Sequence, residues 1–276
     1  MTDDWRLIDS GPCRATYNMA LDEAIATAVR KGNSPPTLRL YRWDLPSVSI
    51  GCFQKISDIN IDYCIERDIP IVRRPTGGRA VLHNHELTYS FSVKTIQGLF
   101  SKGLFDSYKK IGYALSLALT KTGLSPELKL LKETRHSSPV TRNSQLATRN
   151  FRSPLCFQST SYGEITINNK KVIGSTQKRW PDGLLQQGSI PYAIAKDEMV
   201  KVFRLESTHW LREVFNGLKE VLPELNPDEL KNAIKISFEE TFDTRLIPST
   251  PSQEEVFLAL ELEAQKYLSP RWNFQR

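Results

Sequence analysis

One cysteine, Cys156, lies in the stretch Ser153-Pro-Leu-Cys-Phe-Gln158. Downstream comes the run Lys171-Val-Ile-Gly-Ser-Thr-Gln177, and upstream Arg73-Arg-Pro-Thr-Gly-Gly-Arg-Ala-Val-Leu-His83. A thiol, a lysine and a glycine-rich basic turn are the parts needed to hold an acyl group as a thioester. A free thiol ionises near pH 8.5, so about a few per cent is thiolate at neutral pH, yet that fraction is a strong nucleophile. A neighbouring ammonium such as that of Lys171 enlarges it. The competing reading of Cys156 is a small buried hydrophobe. Cys13, Cys52 and Cys64 sit in apolar or helical surroundings and are expected in the core.

The turn Arg74-Pro-Thr-Gly-Gly-Arg79 joins two strand patterns. Adjacent glycines allow positive φ and can present N–H groups to an oxygen-rich ligand. The plainer alternative is a connecting turn with solvated arginines. Walker-loop spacing is absent. His83 and His85 fit core or hydrogen-bonding roles better than metal ligation. The four cysteines form no Cys-x-x-Cys pair, so no metal and no disulfide framework is expected.

These residues must be held by a chain of 276 residues, 39% hydrophobic and 25% charged, with net charge +6. The length allows one large domain, or a large one with a small appendage. The basic excess suits an acidic protein, a phosphate-bearing ligand or nucleic acid without separating them. No apolar run approaches the roughly 18 residues of a membrane span, and the polar start Met-Thr-Asp-Asp-Trp is unlike a secretory signal. A cytoplasmic protein with reduced thiols is expected.

Apolar spacing over residues 17–31 predicts a helix stopped by Gly32. Strand patterns follow at 37–43, 47–50, 70–73, 79–82 and 86–93, then a helix at about 106–122. Residues 126–153 break the pattern. Lys129, Lys132, Arg135, Arg142, Arg149 and Arg152 against Glu127 and Glu133 leave six minus two, or +4, in this stretch. It reads as a functional loop delivering Cys156 or as a disordered linker. Strands resume at 162–168, 171–174 and 184–191, with Asn168-Asn169 as a turn. Asn226-Pro-Asp-Glu229 and the capping box Ser252-Gln-Glu-Glu255 open C-terminal helices. The expectation is a mixed α/β (α+β) core over residues 1–195 and a small helical extension over 196–276 packed on it.

Taken together, Arg73–His83, then Glu86-Leu-Thr-Tyr-Ser90, resemble the signature of the biotin/lipoate protein ligase superfamily. Tyr17-Asn-Met-Ala-Leu-Asp-Glu23 is similar to its N-terminal helix, and Lys171–Arg179 to its lysine motif. Leu185-Gln-Gln-Gly-Ser-Ile190 and Trp272-Asn273 match in the same order. Departures are Gln187, where the family often has His, and Asn84, where Asp is common. Cys156-Phe-Gln before Tyr162-Gly-Glu-Ile resembles the octanoyltransferases of the lipoate ligase-like class. The resemblance implies a mixed-sheet catalytic domain and octanoyl transfer from acyl carrier protein to a lysine of a lipoyl domain. That acceptor would be the glycine-cleavage H protein or a 2-oxoacid dehydrogenase E2. It assigns catalysis to Cys156, as thioester carrier, and to Lys171, on the acyl carbonyl. Substrate contacts fall to Arg74, Thr76, Gly77, Gly78, Arg79, His83, Gly174, Ser175 and Gln177. It further implies a monomer needing no cofactor, nucleic acid or membrane. The rivals are an ATP-dependent lipoate–protein ligase and a non-catalytic carrier-protein binding module.

Overall fold

The computed structural model describes residues 4–96, 98–130 and 163–275. Cys156 and most of the basic stretch therefore lie outside the described residues. In chain order the elements are β1 (Asp4–Cys13), α1 (Ala15–Lys31), β2 (Thr37–Trp43), β3 (Ser47–Ile50), α2 (Ile61–Glu66) and β4 (Ile71–Arg73). Then come β5 (Val81–His83), β6 (Glu86–Lys94), α3 (Leu104–Lys121), β7 (Glu127–Lys129), β8 (Glu164–Ile167), β9 (Lys170–Arg179) and β10 (Gly183–Pro191). The chain ends with α4 (Lys196–Val202), α5 (His209–Val214), α6 (Pro227–Phe242), β11 (Arg245–Pro248), α7 (Gln253–Leu262) and α8 (Pro270–Asn273).

Eight strands form one mixed sheet in the order β11-β1-β2-β6-β10-β9-β8-β7. The β11, β1 and β2 strands run parallel, and the pairings from β2 onward are antiparallel. A second sheet, β4-β3-β5, is smaller. Nearly every residue of β6 and β10 is buried, because both faces of the large sheet are covered. One face packs on α3 and α6 around Trp5, Phe91, Phe100, Phe238 and Phe242, whose neighbouring ring centroids approach to 5.2 Å. The other face carries α1, packed against α7, and the small sheet.

Local chemistry explains the helix ends. Gly32 takes φ +83° and its N–H returns to the carbonyls of Ala28 and Val29, closing α1. Asn226 caps α6 ahead of Pro227, and Ser252 with Glu255 forms the expected capping box of α7. Asn168 and Asn169 both adopt positive φ, the backbone a two-residue hairpin turn requires.

Several elements differ from the pattern-based expectation. The β1 strand runs through Gly11 and Pro12 with a register shift, so alternation is broken there. The segment beyond residue 195 is not helical throughout. Its β11 pairs with β1, and Leu218, Phe238 and Leu246 join the same core as Phe91. Of the three cysteines expected in the core, Cys64 is buried, whereas Cys13 and Cys52 are half-buried.

Candidate active site

The basic turn is built from inside by its own arginines. Arg74 is 4% exposed, and its guanidinium donates to the carbonyls of Gly77, Arg79 and Ser49 and to the Ser49 hydroxyl, at 2.6–3.1 Å. Arg73 is fully buried and donates to the carbonyls of Gly51, Gln54, Trp272, Asn273 and Gln275. Asn273 accepts from the Arg73 N–H at 2.8 Å, so the C-terminal Trp-Asn pair is a strap across the back of the turn. Arg74, expected to face a substrate, and its neighbour Arg73 therefore first satisfy backbone carbonyls, which a buried loop must pair.

The two glycines are not equivalent. Gly78 has φ +79°, whereas a side chain on Gly77 would meet nothing within 4 Å. A Cβ on Gly51 would sit 1.9 Å from the Gly78 oxygen, so close backbone approach makes Gly51 the more constrained position.

Thr76, fully buried, donates through its hydroxyl to Gln187 Oε1 at 2.8 Å, and Gln187 Nε2 donates to Asp22 at 2.7 Å. Asp22 also accepts from Arg39 (2.7 Å), Ser90 (2.6 Å) and Tyr41 (2.9 Å). Burial, then the Asp22 charge, push the Tyr41 hydroxyl far above its ordinary pKa, so it stays a donor. This network ties the turn to α1, β2, β6 and β10.

Between the two sheets lies a pocket enclosing about 360 Å³ of empty space, part of it open solvent. Met19, Tyr41, Trp43 and Val81 give it apolar walls. Ser49, Arg74, His83, Thr88 and Ser189 supply the polar side, and Gly174, Ser175 and Gly188 contribute to its lining from β9 and β10. A mostly apolar opening with a few convergent polar groups is the usual form of a small-ligand site. His83 stacks on Trp43 with centroids 3.9 Å apart and bonds Glu86 at 2.8 Å and Ser49 at 2.7 Å.

Lys171 reaches the cavity-side face of the sheet through a bulge. Ile173 pairs with Ile165 but Lys171 with Thr166, so Val172 is an extra residue. Val172 and Ile173 consequently both enter the α3/α6 core, and Lys171 turns to the opposite face. There its ammonium meets Glu164 Oε1 at 2.6 Å, with both side chains more than nine-tenths buried. Lys171 is not among the residues lining the cavity described above. Its strand is, through Gly174.

Of the other expected contacts, Arg74, His83, Gly174 and Ser175 line the cavity; Thr76, Gly77, Gly78 and Arg79 do not, Thr76 being held by Gln187 and the Gly77 and Arg79 carbonyls by Arg74. Ser175 turns its hydroxyl away, bonding Tyr89 at 2.8 Å. Gln177 points to that same far face, where it bonds Gln186 at 2.9 Å, and does not line the cavity. Ser49, Trp43, Glu86, Asp22 and Glu164 were not singled out from the sequence. Glu86 could have been, three residues after His83, because a buried pair needs such a partner. Among the described residues no cluster of potential metal ligands occurs. Burial pushes the Cys64 thiol up to about 11 and raises that of Cys13, so neither is an activated nucleophile.

Residues 14–239 match the profile of the lipoyl protein ligase A/B catalytic domain. The chain is 32% identical to the octanoyltransferase LipM of Bacillus cereus, with 99% of each chain covered. Identity to LipM of Kyrpidia tusciae is 35%, again over 99% of both. Among solved structures, lipoate-protein ligase A bound with ATP shares the fold with TM-score 0.79 and 24% identity, covering 99% of each chain. A lipoate protein ligase from Thermoplasma acidophilum, solved in a study with its E2 lipoyl domain, superposes with TM-score 0.78 and 23% identity, covering 99% of this chain and 98% of that one.

Proposed function

This chain belongs to the lipoyl protein ligase A/B catalytic domain family, and from that premise we propose that it is an octanoyltransferase of lipoate biosynthesis. The observation that carries the reading is its correspondence with LipM octanoyltransferases from end to end of both chains. In the first step Cys156 attacks octanoyl-acyl carrier protein and keeps the acyl group as a thioester. A lysine amine of a lipoyl domain, on the glycine-cleavage H protein or a 2-oxoacid dehydrogenase E2, then takes it as an amide. Thioester exchange is nearly balanced and amide formation runs downhill, so the sequence of steps requires no nucleotide.

The described residues have definite tasks in this scheme. The apolar walls Met19, Tyr41, Trp43 and Val81 suit an alkyl chain. Lys171, oriented by Glu164, supplies a fixed ammonium for the oxygen that becomes negative at the transition state. No helix among the described residues is long and apolar enough to cross a membrane. The protein is expected to act as a cytoplasmic monomer.

Intact-mass measurement after incubation with octanoyl-acyl carrier protein, without nucleotide, tests the reading. One octanoyl group is expected on Cys156, and added lipoyl domain should remove it. An unmodified protein that acylates the lipoyl domain only with ATP and free lipoate or octanoate would make it a ligase instead.

A further inference from the structure

Transfer to lysine poses a proton problem. A lysine side chain has a pKa near 10.4, so at pH 7 roughly one in 2,500 is neutral and able to attack. Lys171 is poorly placed to take the proton, since its ammonium already carries one and is held by Glu164 at 2.6 Å. On the octanoyltransferase reading, we propose that Ser49, His83 and Glu86 form a proton relay that deprotonates the attacking amine.

The direction of each hydrogen bond follows from its partners. Glu86 accepts from the hydroxyls of Thr88 at 2.5 Å and Ser189 at 2.6 Å, and faces His83 Nδ1 at 2.8 Å. Glu86 is the acceptor in all three contacts, which places the imidazole hydrogen on Nδ1 and leaves a lone pair on Nε2. Arg74 can only donate, and it donates to Ser49 Oγ at 3.0 Å. The Ser49 hydrogen is therefore directed to His83 Nε2 at 2.7 Å. A hydroxyl has two acceptor lone pairs, so Ser49 keeps one beyond that used by Arg74, and Ser49 lines the cavity.

The surroundings hold this arrangement in place. Trp43 stacks on the imidazole at 12°, and His83 is 5% exposed, so the ring has little freedom to turn. Ser189, which anchors Glu86, pairs across the sheet with Gly174 on the strand of Lys171. The relay thus opens on the cavity that the lysine strand also lines.

Each step balances. The incoming ammonium gives one proton to Ser49 Oγ as the Ser49 hydrogen passes to His83 Nε2, and Glu86 stabilises the resulting imidazolium. The neutral amine forms the C–N bond, the C–S bond breaks, and its electron pair leaves on the Cys156 sulfur. The second nitrogen proton goes to that sulfur, and His83 releases its proton to solvent. The products are amide, thiol and one proton.

The test isolates octanoyl-enzyme and chases it with lipoyl domain or with hydroxylamine, which is already neutral at pH 7 and needs no base. In His83→Gln and Glu86→Gln, lysine transfer should fall about 100-fold or more relative to hydroxylamine release, the range for losing a general base. The rate should then rise tenfold per pH unit, tracking the neutral lysine. Ser49→Ala carries the same expectation and serves if His83→Gln is not acylated. Equal slowing of both chases would make the network a strut and overturn the relay, as would unchanged transfer. If the unaltered protein forms no octanoyl adduct at all, the transferase reading beneath the relay fails instead.

Discussion

Replacing Asp22 by Asn should destabilise the protein and loosen the Arg74–Arg79 turn together. The Asp22 and Arg39 side chains are fully buried and 2.7 Å apart. Asp22 accepts from Arg39, Tyr41, Ser90 and Gln187, and Arg39 donates also to Asn18 and Ser10. Asparagine keeps the shape but turns one acceptor atom into a donor among groups that mostly donate. It also leaves a buried guanidinium without its counter-charge. Breaking a buried pair in this way costs about 3–5 kcal/mol, against a total stability of roughly 5–15 kcal/mol. With a urea m-value of about 3 kcal/mol/M, the denaturation midpoint should drop by roughly 1–1.7 M. The functional arm follows from geometry, because the Asp22-bound Gln187 is what holds Thr76. Octanoyl transfer by the still-folded variant should therefore fall more than Cys156 alkylation does.

A companion variant separates charge from shape. Asp22→Leu combined with Arg39→Met should recover part of the stability lost by Asp22→Leu alone, since an apolar pair removes the uncompensated charge. It should not recover transfer, because Gln187 still lacks its acceptor. A midpoint within about 0.3 M of the unaltered protein for Asp22→Asn would refute the reasoning. It would mean that the site relaxes around the amide and that Asp22 is no anchor.

Cys156→Ser should lower octanoyl transfer by several orders of magnitude, measured with carrier protein and lipoyl domain, because a serine hydroxyl is not ionised at neutral pH. Lys171→Ala should cost on the order of 10²–10³ in rate, the range for one oxyanion donor, while Lys170→Ala should be nearly neutral. Equal losses at both would show that the bulge does not set the working face. Gly51→Ala should prevent accumulation of folded protein, whereas Gly77→Ala should fold normally by circular dichroism, given the 1.9 Å clash at Gly51 and the open space at Gly77. Because burial holds its thiol near pH 11, Cys64 should resist alkylation at pH 8 under native conditions. It should react only as pH rises toward that value or once the protein unfolds.

The order of strands and helices around the site was largely legible, because hydrophobic period and turn chemistry act locally. Helix α1 with Gly32, the Asn168-Asn169 hairpin and the capping box at Ser252 each declare themselves within a few residues. What escaped depends on partners far along the chain. Arg73 reads only as one of the basic residues around the glycines until Trp272 and Asn273 come back to occupy it. Gln177 reads as a substrate contact by its motif, and the pairing with β10 turns it to the far face. Lys171 shows the same limit in reverse. Strict alternation from Gly174 would send Lys170, not Lys171, to the cavity-side face. One extra residue, Val172, reverses that outcome, and Val172 is an ordinary apolar residue in a run of apolar residues. Resemblance singled out Lys171, and what carries its side chain to the cavity-side face is a bulge that no period-2 pattern contains. The face a side chain takes can therefore be set by a backbone irregularity whose only sequence trace is two adjacent core residues where alternation allows one.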